Sequence, residues 1–284
     1  MKKKIVAFML VIAMLAIAIV GGTLAYFTDT DEATNVFTFG NVKIRQDEWE
    51  RTSKTDATIK AFTQDKNVYP AVHDKLVKSE IEVDGTTFKI RSLEGNYVDK
   101  IVNVTNEGTE PAYVRTIIAI PSMNGWDDSA DPSENPLHWN FLDANDTDGI
   151  GWDWNDNKDA VSADFAKETE DGCVKAVTID GVVYDLFIAT YNTAVAPETT
   201  TAPSLVGFYL DDDVNCDENG KYFQIVGKEY RDLSPYITIN DEGMAELKIL
   251  VATQACQTEG FADAWEALDA AFGDITGANH PWAE

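Results

Sequence analysis

Histidine, cysteine and positive charge are all scarce in this chain, and each shortage removes a class of function. The 284 residues hold three histidines, His73, His138 and His280, far apart in sequence and without an HExxH motif. A zinc enzyme needs three or four converging ligands, so no metallohydrolase pattern is present. The three cysteines, Cys173, Cys216 and Cys256, are an odd number. They allow at most one internal bridge and exclude a disulfide scaffold; three buried, reduced thiols are the expectation. Gly-x-Ser-x-Gly is missing, as are GxGxxG and GxxxxGK[ST], so neither a nucleophile elbow nor a phosphate-cradling loop is offered. Lys and Arg number 22 against 49 Asp and Glu, for a net charge of −27. Such a surface repels nucleic acid and anionic lipid headgroups, and no nucleic-acid partner is expected.

What the sequence does have begins at its start. Lys2, Lys3 and Lys4 precede an unbroken apolar run from Ile5 to Val20, and Gly21, Gly22 and Thr23 end it. Charge, apolar stretch and small residues in that order read as a secretory signal over residues 1–26, cleaved between Ala25 and Phe27, with Ala25, Tyr26 and Phe27 at the junction. The other reading is an uncleaved anchor with its lysines inside, the chain's one route to a membrane. The signal carries three lysines and no acid, so the rest of the chain is near −30. Apolar residues make up 44% and aromatics 11% of the chain, enough to build a core.

Beyond the junction the pattern is β. Phe37 and Phe39 alternate with polar residues; after Gly40-Asn41 the alternation resumes out of phase at Val42 and Ile44, as at a bulge or bend. Residues 46–79 are polar and mixed, and read as loop with a short strand. Asp84-Gly85 and Asp180-Gly181 each join two β-rich runs, the signature of a type I′ hairpin. Val98, Val102 and Val104 share one face of a strand, and Ala112 to Ile120 is a β-branched run bordered by Pro111 and Pro121. Leu205 to Leu210 and Lys221 to Val226 flank an acidic turn. Tyr236 to Asn240 and Met244 to Ala252 form one more hairpin. Near the end, Phe261, Trp265, Leu268 and Phe272 are spaced as one stripe of an amphipathic helix, with Gly273 placed to stop it. Hairpin-linked strands, long loops and a short C-terminal helix imply a mainly β fold, an antiparallel jelly-roll-like sandwich.

Two features could bind a ligand. Residues 121–172 form a long insertion rich in Asp, Asn, Gly and Trp, of a length that marks a functional loop. Trp126, Trp139, Trp152 and Trp154 fall inside it and could stack on sugar or pin the insertion to the core. Oxygen-bearing residues at alternate positions, Asp143, Asp146 and Asp148 in one stretch and Asp213, Asp217 and Asn219 in another, could take calcium weakly or be solvated acidic loops. Neither stretch has EF-hand spacing.

The string GGTLAYFTDTDEATNVFTFGNVKI, Gly21 to Ile44, resembles the start of the TasA and camelysin group of secreted biofilm-matrix proteins with SipW-type signal peptides. The Gly-Gly-Thr, the Ala-Tyr-Phe-x-Asp junction and the Phe-x-x-Gly-x-Val strand carry the resemblance. Lys100 to Arg115 and Ala252 to Gly273 are similar to later parts of the group. The resemblance implies cleavage near Phe27 by a SipW-type signal peptidase and a jelly-roll domain over residues 46–284 that assembles into extracellular fibres. In the fibre-forming members a freed N-terminal strand fills a groove in the next subunit; here residues 27–45, with Phe37, Phe39, Val42 and Ile44, would be that donor. The partners it implies are other copies of the chain and other matrix proteins. The group also carries a metalloprotease label, which this sequence, lacking a zinc motif, does not support. A secreted glycan- or calcium-binding module is the alternative to a matrix protein.

Overall fold

The computed structural model describes residues 21–26, 42–53, 56–63, 76–83, 85–93, 98–123, 136–140, 152–154, 173–210, 214–216, 221–226, 229–239 and 245–283. The strands, in chain order, are β1 Gly21–Tyr26, β2 Ile44–Ser53, β3 Asp56–Ala61, β4 Leu76–Val83, β5 Thr86–Leu93, β6 Val98–Asn106, β7 Ala112–Pro121, β8 Leu137–Asn140 and β9 Trp152–Trp154. They continue as β10 Cys173–Ile179, β11 Val182–Tyr191, β12 Leu205–Leu210, β13 Val214–Cys216, β14 Tyr222–Val226, β15 Glu229–Asp232, β16 Ile237–Ile239 and β17 Ala245–Gln257, followed by helix α1, Ala264–Phe272. The fold is mainly antiparallel β with one short C-terminal helix among the described residues, as the sequence implies.

Two sheets enclose the main core. The first runs β1-β17-β7-β11-β10, with β16 also on β17 and β9 on β11; the second runs β3-β2-β6-β12-β8. Ile44, Val102, Val104, Leu205 and Phe208 of the second meet Val114, Ile118, Ile120, Phe187 and Val251 of the first. The first sheet is covered on its other face too. Ile117, Ala119, Leu186, Ile188 and Leu250 pack there with Ile275 and Trp282 of the tail. Two-sided burial is why Ala112 to Ile120 reads as a continuous apolar run rather than an alternation.

Both Asp-Gly hairpins form. Val83 pairs with Thr86 and Ile179 with Val182, leaving two-residue loops. Asp180 and Gly181 have φ of 50° and 82°, the paired positive angles that a type I′ turn requires. The last hairpin also forms, between β16 and β17. The helix forms as its spacing implies. Asp263 caps it by accepting from the Glu266 amide at 2.9 Å, and Gly273, at φ 76°, donates to the Asp269 carbonyl. Buried Arg115 of β7 holds the helix end. Its guanidinium donates to Gln254 Oε1 at 2.6 Å, Asp269 Oδ1 at 3.0 Å and the Gly273 carbonyl at 2.8 Å.

Three expectations change. Residues 46–79 are not mainly loop: β2 spans Ile44–Ser53 and β3 spans Asp56–Ala61. Leu205 to Leu210 and Lys221 to Val226 do not pair with each other. The first joins β6 and β8 in the second sheet, whereas Tyr222–Val226 pairs with β13 and β15. The insertion supplies one strand to each sheet, β8 beside β12 and β9 beside β11.

Candidate functional site

The sequence around the expected signal junction and the strand it meets make the strongest candidate. Lys248 to Thr253 reads KILVAT, a run whose β-branched and apolar residues favour a strand. It is the middle of β17; Ile249, Leu250, Val251 and Ala252 are buried. One edge of β17 pairs with β7, from Leu250 opposite Ala119 to Gln257 opposite Ala112. On the other edge β1 covers Lys248 to Thr253, with Gly21 opposite Thr253 and Tyr26 opposite Lys248; β16 pairs with Ala245 to Leu247, before that stretch begins. The junction residues Ala25 and Tyr26 therefore lie in a ladder, opposite Ile249 and Lys248; Phe27 is outside the described residues.

Farther on, the chain is fastened to the second sheet. Val42 and Ile44 are 2% and 1% exposed, inside the main core. Burying both stabilises the fold by roughly 3–6 kcal/mol. Lys43 and Arg45, on the outside, meet Glu107 in the turn between β6 and β7 at 2.7 and 2.5 Å, and the Glu107 amide donates to the Lys43 carbonyl at 2.7 Å. The hydrogen bond from Lys43 draws the Glu107 carboxyl below its ordinary range, with Arg45 adding to the effect. Arg45 also donates to Asp47 at 2.8 Å, which raises its already high pKa. The turn itself is tied by Asn106, whose Oδ1 accepts from the Gly108 amide and whose Nδ2 donates to the Glu110 and Val195 carbonyls.

The four residues expected to form a donor strand thus divide. Val42 and Ile44 belong to the chain's own core; Phe37 and Phe39 lie outside the described residues. The four tryptophans also divide. Trp139 stands on β8 in the second sheet, and Trp152 and Trp154 stand on β9 in the first; Trp126 is outside the described residues. Asp143, Asp146, Asp148, Asp213, Asp217 and Asn219 fall outside them as well. Cys256 is a free thiol packed beside α1, and burial pushes it up to about 12. What sequence reasoning missed is the β17 edge. Its signal was present: six residues, KILVAT, with a single charge and no proline.

Comparison with known proteins bears on the same end of the chain. Residues 1–69, about a quarter of the sequence, match the family model of the camelysin metallo-endopeptidases. Over that segment the chain is TasA/camelysin-like. No curated protein and no solved structure matches it. The family's printed activity requires a metal, and a catalytic zinc takes three converging protein ligands. Among the described residues no three His, Cys, Asp or Glu side chains come together to hold an ion. The residues in view therefore do not fit the metal, and the activity is not carried over. Among the described residues no helix is long and apolar enough to cross a membrane.

Proposed function

We propose that this camelysin-like chain is a secreted structural protein of the extracellular matrix or cell surface. After a SipW-type peptidase removes residues 1–26, it assembles into fibres by giving its N-terminal strand to a neighbouring copy. The observation that carries the reading is the division of the chain at Val42. From Val42 onward the chain is held by core burial and by the Glu107 ion pairs. Upstream, the ladder of β1 on β17 involves residues that cleavage would remove. The donor is accordingly residues 27–41, containing Phe37 and Phe39, and is shorter than the 27–45 that the sequence suggests.

Charge sets the conditions. Copies near −30 repel one another until their acids are protonated or screened. Negative-stain microscopy of chain 27–284 and chain 42–284, across acidic pH and added calcium, tests the reading. Fibres are expected from the first alone. Discrete particles from both under every condition would overturn it.

A further inference from the structure

The signal junction itself is a strand, and what it covers has a consequence for assembly. β1 is the sole described neighbour along Lys248–Thr253 on the edge of β17 opposite β7. A segment reading KILVAT is a poor edge to leave open. Natural sheets protect exposed edges with charge, proline, bulges or short length, and this one has only Lys248 for protection. Cleavage between Ala25 and Phe27 would take away five or six residues of the covering strand and leave that edge bare.

We infer that the tail of the signal, Gly21–Tyr26, is a built-in cap on an acceptor edge, and that its removal licenses a second copy of this chain to add a strand at Lys248–Thr253. The inference rests on the fibre reading above and names how its acceptor site is regulated. Before cleavage the edge is satisfied from within, so the precursor has no open strand for a neighbour to join. After cleavage, the same reaction that frees a donor N-terminus also uncovers an acceptor, so the two events cannot fall out of step.

The cap's composition suits a temporary occupant. Two of its six residues are glycine, which loses more freedom on ordering than any other residue and adds no side chain to the sheet. The slot is also longer than its cap. Gln254 to Gln257 pair among the described residues with β7 alone, so an incoming strand longer than β1 can form a longer ladder. Backbone pairing of this kind supplies affinity without demanding a particular side chain at every position. The chain's own residues 27–41 are the rival occupant of the edge after cleavage.

Amide hydrogen exchange over Lys248–Thr253 tests this in the 284-residue chain held in detergent micelles, before and after removal of the signal by the peptidase. Thr23→Pro in the uncleaved chain provides a second variant, because Thr23 stands opposite Val251 with its amide facing β17, and proline there removes a ladder donor. Sedimentation gives the state of association. The expected result is protection in the uncleaved chain, exchange at least about tenfold faster in the dilute cleaved chain and in the Thr23→Pro chain, and protection regained when the cleaved chain assembles. Persistent protection in a dilute, monomeric cleaved chain would mean that its own residues cover the edge; this overturns the inference and leaves the fibre reading standing. Unchanged protection in the Thr23→Pro chain would overturn the cap directly. Loss of protection without association at any concentration, pH or calcium level would overturn the fibre reading, and the licensing with it.

Discussion

The hydroxyl of Thr253 donates to Gln46 Oε1 across the gap between the two sheets, at 2.6 Å, with both residues buried. Thr253 is the last residue of the β17 edge that β1 covers, and Gln46 lies two residues after Ile44 on β2. The bond joins the candidate acceptor strand to the first fastened strand of the chain. Its worth is conditional. Leaving one partner buried alone costs about 1–3 kcal/mol, whereas replacing both with apolar groups of like shape is nearly neutral. Gln46→Leu or Thr253→Val alone is expected to lose about 1–3 kcal/mol in urea unfolding, and the double variant less than the sum. Additive losses would mean that the two side chains act independently.

Acid should loosen the attachment at Lys43 and Arg45. Glu107 titrates below its ordinary value of 4.5 because the folded chain sets Lys43 and Arg45 against it. The group is protonated more readily unfolded than folded. Its contribution is therefore complete above about pH 5 and is lost as pH falls through the lowered folded value. The partners are partly exposed, so the effect is modest and salt-sensitive. Glu107→Gln is expected to lower the neutral melting temperature modestly and to leave the low-pH value little changed, which flattens the acid limb below pH 5. A carboxyl resonance of Glu107 that titrates at or above the ordinary range would contradict the argument.

The buried thiol gives a kinetic prediction. With Cys256 pushed up to about 12 by its surroundings, almost none of it is thiolate near pH 8. In a chain carrying Cys173→Ser and Cys216→Ser, labelling of native Cys256 by a disulfide reagent is expected to be roughly a hundredfold or more slower than in urea. Native labelling at the unfolded rate would place Cys256 at the surface.

Local chemistry made some of this fold legible and hid the rest. Asp180-Gly181 announced its turn because few other pairs tolerate two positive φ angles. Trp265, Leu268 and Gly273 announced a helix and its end because helix period and cap are local. Leu205 to Leu210 was recognised as a strand but paired wrongly, because the choice of neighbour is made across the core and not in the turn. β8 and β9 were missed because strands of four and three residues are too short to show a period. The β17 edge was readable as a strand. That it is an edge, and that β1 covers it, depends on pairing between residues more than two hundred positions apart, which no window along the sequence contains.

β2 was missed for a different reason, and it carries the last prediction. In IRQDEWERTS the residues at Ile44, Gln46, Glu48 and Glu50 are apolar only at the first, so a search for apolar period two passes over it. The polar three are tolerable because each has a partner. Thr253 donates to Gln46, Lys60 stands 2.9 Å from Glu50, and Lys100 of β6, itself 2% exposed, pairs with Glu48 beneath the Phe62 ring. Burial lowers the Lys100 pKa, and Glu48 acts against that shift. A pair of this kind is expensive to break and cheap to replace. Lys100→Met should cost about 3 kcal/mol, because Glu48 keeps its charge with little water to serve it. Adding Glu48→Leu should recover most of the loss, and it would turn β2 into a strand that the sequence pattern alone could find. Equal stability losses in the single and double variants, measured by urea unfolding, would show that β2 is held where Arg51 grips Asp99 at 2.6 and 2.8 Å, and not by this pair.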